Sequence, residues 1–425
     1  MLTVNQHGRV EAQPIRASNP SVTNVGCLIV TTRCATALTC LILSGAAAPT
    51  DASPQSRAQT RAGFALAYDL QFAAAYDVFA EAARADPRDP APHRAIAAIT
   101  WIEILFAQGV ATFEAFTGEI SKGDVRRPPA PPKIVARYRQ SIDQAHGLAD
   151  HQLALGPDAD AHYQVGATAA LSSLYRATVD GSTLGAFSEA RRAVSEMERS
   201  RKQDLSKHEA ALVLGLSEYT VSTMSWPVRM LARLSGLAGN RDTALILLRE
   251  AATPGAETET DALLLEMIVE MREGRHNDAV QHLQQLRRAH PRNRLLSLNY
   301  AVAALAATQP AVADQVLTEW MAAPDWNASP TVLGEAALWF AHRGTARARL
   351  HRTAAAITDL QRGLGESPRD WVAGRIHGQL GDVALEAGER DRARREFELA
   401  LDLSARGGDG LAVKDVRQKL NALKR

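Results

Sequence analysis

The sequence predicts an all-α fold, a solenoid of antiparallel helix pairs, and three observations lead there. Ala, Leu, Arg and Glu dominate, only 5% of residues are aromatic and β-branched runs are scarce, so the residues cheapest to place in a helix prevail. A pattern of small and large apolar residues recurs in windows of one length, as stacked repeats require. Gly and Pro fall where such pairs would turn and end.

Composition bounds the rest. At 425 residues the chain holds two or three ordinary domains or one long array, and 46% hydrophobic residues suffice for a large core. Lys plus Arg (48) nearly cancel Asp plus Glu (47), leaving +1. No global field then recruits nucleic acid or an anionic membrane, and no nucleic-acid partner is expected. Cys27, Cys34 and Cys40 are the three cysteines, so everything after residue 40 lacks a thiolate for a disulfide, a zinc site or a nucleophile.

Taken in order, residues 1–48 read as an N-terminal extension ending in a targeting segment. Arg33 precedes the apolar run 34–43, and Ser44-Gly-Ala-Ala-Ala48 follows, the layout of a secretory signal. An uncleaved anchor making membrane contact is the alternative, although Arg33 interrupts the apolar stretch where charge is costly. Export to the periplasm or cell envelope is the expectation, or the inner membrane if the anchor stays. Residues 49–59, rich in Pro, Ser, Ala and Gln, read as a flexible leader, and 60–425 as the solenoid.

Five windows carry the repeat: a small residue at position 8, Ala at 20, a large apolar residue at 24, a small one at 27 and often Pro at 32. Window 56–89 has Gly63, Ala75, Phe79, Ala82 and Pro87 there; window 260–293 has Met267, Ala279, Leu283, Leu286 and Pro291, with Gly274 at the turn. In tandem with it, 294–327 has Ala301, Ala313 and Leu317. Window 337–370 has Gly344, Ala356, Leu360, Gly363 and Pro368, and 374–407 has Gly381, Ala393, Phe397 and Ala400, with Gly388 at the turn. Gly or Ala at a crossing removes bulk between helices, and Pro cannot continue a helix. Between these windows, 90–255 reads as irregular helix pairs: one long helix over 91–119, a Pro-rich loop at 123–132, then helices at 133–155, 158–178, 184–201, 207–224 and 242–252. Pro227 opens a short helix of its own, and 411–424 is the last helix.

This pattern resembles the tetratricopeptide repeat family over 56–89 and 260–407, and loosely between. The resemblance implies a right-handed solenoid whose first helices line a concave groove that binds protein or peptide. The stretch 222–252 looks like its counterpart in uncharacterised exported bacterial repeat proteins, and more distantly resembles a eukaryotic family associated with the mitochondrial outer membrane and inclusion-body clearance. That likeness implies kinship and carries no catalytic residue.

Signatures of chemistry are missing from the sequence. There is no HExxH, GxSxG, GxxxxGK[ST] or GxGxxG. Neither His146 with His151 nor His276 with His282 has the i, i+3 or i+4 spacing of ligands on one helix face. We therefore expect no enzyme, cofactor or metal, and read the chain as an interaction scaffold whose partner the sequence does not identify. Two alternatives stay open: an active site within 90–255, marked by a deep pocket of converging His, Glu or Arg, and a membrane-apposed protein using 226–237, apolar with Arg229 and Arg233. The apolar stretch 95–113, with Glu103 its only charge, reads as a helix buried on two sides.

Overall fold

A computed structural model describes residues 53–114, 127–324, 326 and 332–424; the targeting segment expected at 33–48 lies outside them. The chain is an α-solenoid of tetratricopeptide-type antiparallel pairs, and among the described residues there is no strand. The first pair is α1 (Pro54–Tyr68) and α2 (Phe72–Ala85), followed by α3 (Pro90–Ala107) with α4 (Pro132–Leu155) and α5 (Ala159–Tyr175) with α6 (Thr183–Gln203). In the fourth pair α7 (Glu209–Ser222) packs on α9 (Arg241–Ala251), with the short α8 (Trp226–Leu234) inserted between them in sequence. Then come α10 (Glu259–Arg272) with α11 (His276–Ala289), α12 (Arg294–Ala306) with α13 (Pro310–Met321), α14 (Glu335–Arg349) with α15 (Thr353–Gly365), and α16 (Asp370–Glu386) with α17 (Arg390–Gly407). The last helix, α18 (Gly410–Leu423), buries only Val416 and Leu423 and leaves Lys414 and Arg417 in water, as a terminal cap must.

First and second helices of the pairs differ as their sequences do. Every residue from 261 to 271 on α10 is buried, because a first helix has its partner on one side and neighbouring first helices on the others. Its partner α11 buries one stripe, Ala279, Val280, Leu283 and Leu286, and turns charge outward.

The five windows close their inter-helix turns identically. Position 15 has a positive φ in each: Leu70 (61°), Gly274 (72°), Thr308 (57°), His351 (57°) and Gly388 (77°). The N–H of the next residue then reaches back five residues, from Gln71 to Leu66, Arg275 to Glu270, Gln309 to Ala304, Arg352 to Arg347 and Glu389 to Ala384, at 2.8–2.9 Å. This Schellman closure satisfies carbonyls that the helix end would leave bare.

Two sequence expectations are corrected. The helix expected over 91–119 stops at Ala107, because Gly109 (φ 78°) makes the same closure, with Val110 N–H on the Leu105 carbonyl at 2.9 Å; residues 110 and 111 are irregular, 112 and 113 bend and turn, and the backbone is helical again at Glu114. The leader expected over 49–59 is helical from Pro54. Ser53 caps that helix by accepting the Ser56 N–H at 3.1 Å, and proline suits a first turn, whose N–H has no intrahelical partner. In the middle region the helix expected to reach 178 passes at Tyr175 into a wider π turn, Arg176–Asp180.

The array curls back on itself. Tyr68 Oη donates to Asp261 Oδ1 at 2.7 Å, Arg61 pairs with Glu257 at 2.9 Å, and Asn293 Nδ2 donates to the Tyr68 carbonyl at 2.6 Å. The first pair thus docks on the fifth and the start of the sixth, and one hydrophobic core runs from Phe64 to Leu380.

Candidate binding groove

The repeat-packing residues hold the pairs together rather than face a ligand. Gly63 lies against the Phe79 ring; a Cβ at Gly344 would lie 2.7 Å from Leu360 Cγ, and one at Gly381 2.5 Å from Phe397 Cε1. Where position 8 is Met267 or Ala301, the facing large residues are Leu283 and Leu317. Ala75, Ala82, Ala279, Ala313, Ala356, Ala393 and Ala400 are fully buried at the same crossings. Pro87, Pro291 and Pro368 fall just past the ends of α2, α11 and α15.

The groove is lined by the first helices. On α14, Leu338, Ala341, His342, Thr345 and Arg349 share one face; on α16, Trp371, Val372, Arg375, Gln379 and Asp382; on α18, Ala412, Asp415, Val416 and Lys419. Together they border a cleft of about 1210 Å³, part of it open to solvent. Its floor is apolar and its walls carry both signs of charge.

One end of this groove is filled by the chain itself. After α3 the irregular connection 108–113 and Glu114 lie against the first helices of the C-terminal repeats. The Leu333 N–H donates to the Phe106 carbonyl at 3.1 Å and Arg369 Nη1 to the Gly109 carbonyl at 3.2 Å. Asn299 on α12 grips the backbone at two points: its Oδ1 accepts the Phe113 N–H at 2.8 Å, and its Nδ2 donates to the Ala111 carbonyl at 3.3 Å. The same Nδ2 is anchored to the Leu295 carbonyl of its own helix at 2.8 Å, which holds the amide in register. Glu114 then places its carboxylate between the Arg375 guanidinium and the His342 imidazole, with Arg375 Nη1 at 2.5 Å from Oε1 and His342 Nε2 at 3.3 Å from Oε2. Burial pushes this carboxyl up, but the Arg375 guanidinium and then His342 outweigh it and hold the pKa at about 2. Arg375 also donates to Asp409 Oδ2 at 2.7 Å and lies over the Trp371 ring, so it ties the segment, α16 and the start of α18 together.

These contact residues were missed in the sequence, yet a signal existed. Asn299, His342 and Gln379 all occupy position 6 of their windows, polar residues two places before the packing position. Residues singled out elsewhere do not converge. His146 bonds Ser172, His162 pairs with Glu196 at 2.6 Å, His208 with Glu250 and His282 with Glu270. Among the described residues, no three His, Cys, Asp or Glu side chains are placed to hold a metal ion. In the middle region a cleft of about 930 Å³ between α5, α6 and α7 is lined mainly by Ala, Leu, Val and Phe. Elsewhere in the middle region Arg94 Nη1 donates to Gln164 Oε1 and Lys207 pairs with Asp160. The stretch 95–113 is buried as expected, and no helix among the described residues is long and apolar enough to cross a membrane.

No family profile matches the chain, and no curated protein is similar to it. Among solved structures it resembles a human IFIT1 dimer with PPP-AAAA, at 15% identity and a TM-score of 0.40 over 82% of this chain and 68% of that one. It also resembles the APC/C hetero-tetramer of Cut9 and Hcn1, at 16% identity and a TM-score of 0.40, covering 88% of this chain and 64% of that one. Superpositions this loose add nothing to the helix pairing described above.

Proposed function

We propose that this protein is a binding scaffold that takes an extended segment of a partner protein in the cleft between α14, α16 and α18. The observation that carries this reading is the treatment of residues 108–114. The groove holds them by backbone amide pairing at Asn299 and by a carboxylate seat at His342 and Arg375, which are contacts to the backbone and to one acid. Contacts of this kind engage main chain and a carboxylate rather than one particular sequence, and the cleft beside them carries polar side chains of the same types, Gln379, Arg349 and Lys419.

The segment itself is a permanent part of the groove. Val110, Phe113 and Glu114 are each under 10% exposed. Releasing the two apolar side chains costs about 1.5–3 kcal/mol each, and parting the buried carboxylate from the Arg375 guanidinium costs about 3–5 kcal/mol more. A partner does not recover that easily, so it occupies the cleft bordered by α14, α16 and α18 and leaves residues 110–114 in place. The groove's reach over three first helices spreads affinity across repeats.

A photo-crosslinking residue in place of Gln379, on the cleft wall, is the test. We expect discrete partner adducts from position 379, abolished when Thr345→Trp fills the cleft, and none from Leu399, exposed on α17. Adducts that are absent, or equal at both positions, refute the reading.

We place this scaffold in the bacterial cell envelope, on the pattern of residues 33–48 and the resemblance of 222–252 to exported repeat proteins. Sequencing of the mature N-terminus should start between Ala47 and Ser53; Met1 intact on a soluble cytosolic protein removes this assignment.

A further inference from the structure

Helix α8 is an addition to the array. Helices α7 and α9 pair without it, and the insertion is held through Ala232 and Leu237 packed on Val221, with Phe187, Val194 and Met224 beside them. Its remaining large apolar side chains face outward: Trp226 is 67% exposed, Met230 41%, Leu231 47% and Leu234 83%. At about 100° per residue, Trp226, Met230 and Leu234 form one face with Leu231 next to it. A contiguous apolar face of this kind marks an interaction site.

Charge selects the occupant. Between residues 223 and 240 the ionisable residues are Arg229 and Arg233, both basic. Arg229 is half-buried and donates to the Ser222 carbonyl at 3.3 Å; Arg233 is exposed on the edge beside Trp226. Area decides as well. A stable protein interface takes about 800 Å² per partner, which four side chains on a nine-residue helix do not supply. A short amphipathic helix with Trp at one end and arginines on its flank is suited instead to the interfacial zone of a bilayer.

We propose that α8 is a reversible docking element for an anionic phospholipid surface. Trp226, Met230, Leu231 and Leu234 enter the boundary between headgroups and acyl chains, and Arg233 meets lipid phosphates. The helix lies on the membrane and does not cross it. This inference is independent of the groove.

The test is hydrogen–deuterium exchange of the full chain with and without vesicles of phosphatidylcholine containing phosphatidylglycerol. Reading the peptides that cover 224–236 separates α8 from any binding by the N-terminal segment. We expect protection there with anionic vesicles, little with pure phosphatidylcholine, and loss of protection in high salt. Vesicle affinity read at these peptides should fall at least about tenfold in Trp226→Ser/Leu234→Ser and about fivefold in Arg233→Gln. Leu155→Ser, at an exposed site on α4, should change nothing. Unprotected 224–236 peptides in the presence of anionic vesicles overturn the proposal, as does equal protection by uncharged ones. Protection that instead rises with protein concentration without lipid would assign the face to a second copy of the chain and overturn it too.

Discussion

Two alanine substitutions one turn apart on α16 should move stability in opposite directions. At Gly381 a Cβ would stand 2.5 Å from Phe397 Cε1 and 2.6 Å from Cδ1. The ring is fully buried among Ala384, Ala393 and Ala400, so it cannot swing aside, and α16 and α17 must part by about 1 Å to restore ordinary contact. Overpacking of this kind costs about 1–3 kcal/mol. Removing a glycine from a helix interior returns up to about 1 kcal/mol, which leaves Gly381→Ala destabilised by up to about 2 kcal/mol. At Gly378 the new Cβ meets only Ala400 Cβ and Val416 Cγ2, both at 3.9 Å. There the propensity gain stands alone, and Gly378→Ala should be stabilised by up to about 1 kcal/mol. Urea unfolding followed by far-UV circular dichroism ranks the variants. Hydrogen exchange of α16, α17 and α18 assigns the change, because repeats open locally. If Gly381→Ala is as stable as Gly378→Ala, the helix crossing does not depend on the glycine and the packing argument fails.

Three further outcomes are expected. The Glu114 carboxyl, held at about 2 against an ordinary 4.5, contributes stability that is present above pH 4.5 and lost as pH falls through about 2, worth about 3 kcal/mol; subtracting the pH–stability curve of Glu114→Gln from that of the parent should reveal a slope confined to that window. His282 is raised above 6.5 by its hydrogen bond to Glu270 and the charges of Glu270 and Glu266, so its contribution is complete below 6.5 and disappears as pH rises through the higher folded value; an imidazole titration midpoint at or below 6.5 would contradict the contact. Thr308 is β-branched at φ 57°, a conformation that costs a non-glycine residue about 1–2 kcal/mol, so Thr308→Gly should raise the denaturation midpoint and not lower it.

The packing register was legible in the residues because a repeat touches mainly its neighbours, so spacing along the chain reports spacing in the core. Gly63, Gly344 and Gly381 stand opposite Phe79, Leu360 and Phe397 at the positions where local periodicity put a close approach. The turn at position 15 was only half legible. Gly274 and Gly388 announce it, whereas Leu70, Thr308 and His351 adopt the same backbone because docking of the two helices outweighs the local cost. The end of α3 and the contents of the groove belonged to the tertiary structure alone. Residues 110–113 lie inside the run read as one helix, yet they are not helical, and Asn299, His342 and Arg375 meet this connection and Glu114 from between 186 and 261 residues away. Helical propensity over four residues amounts to little more than about 1 kcal/mol. A buried carboxylate seated against Arg375 and His342 and a backbone held at two points by Asn299 are worth several times that, and no local pattern in a sequence records an interaction made across such a distance.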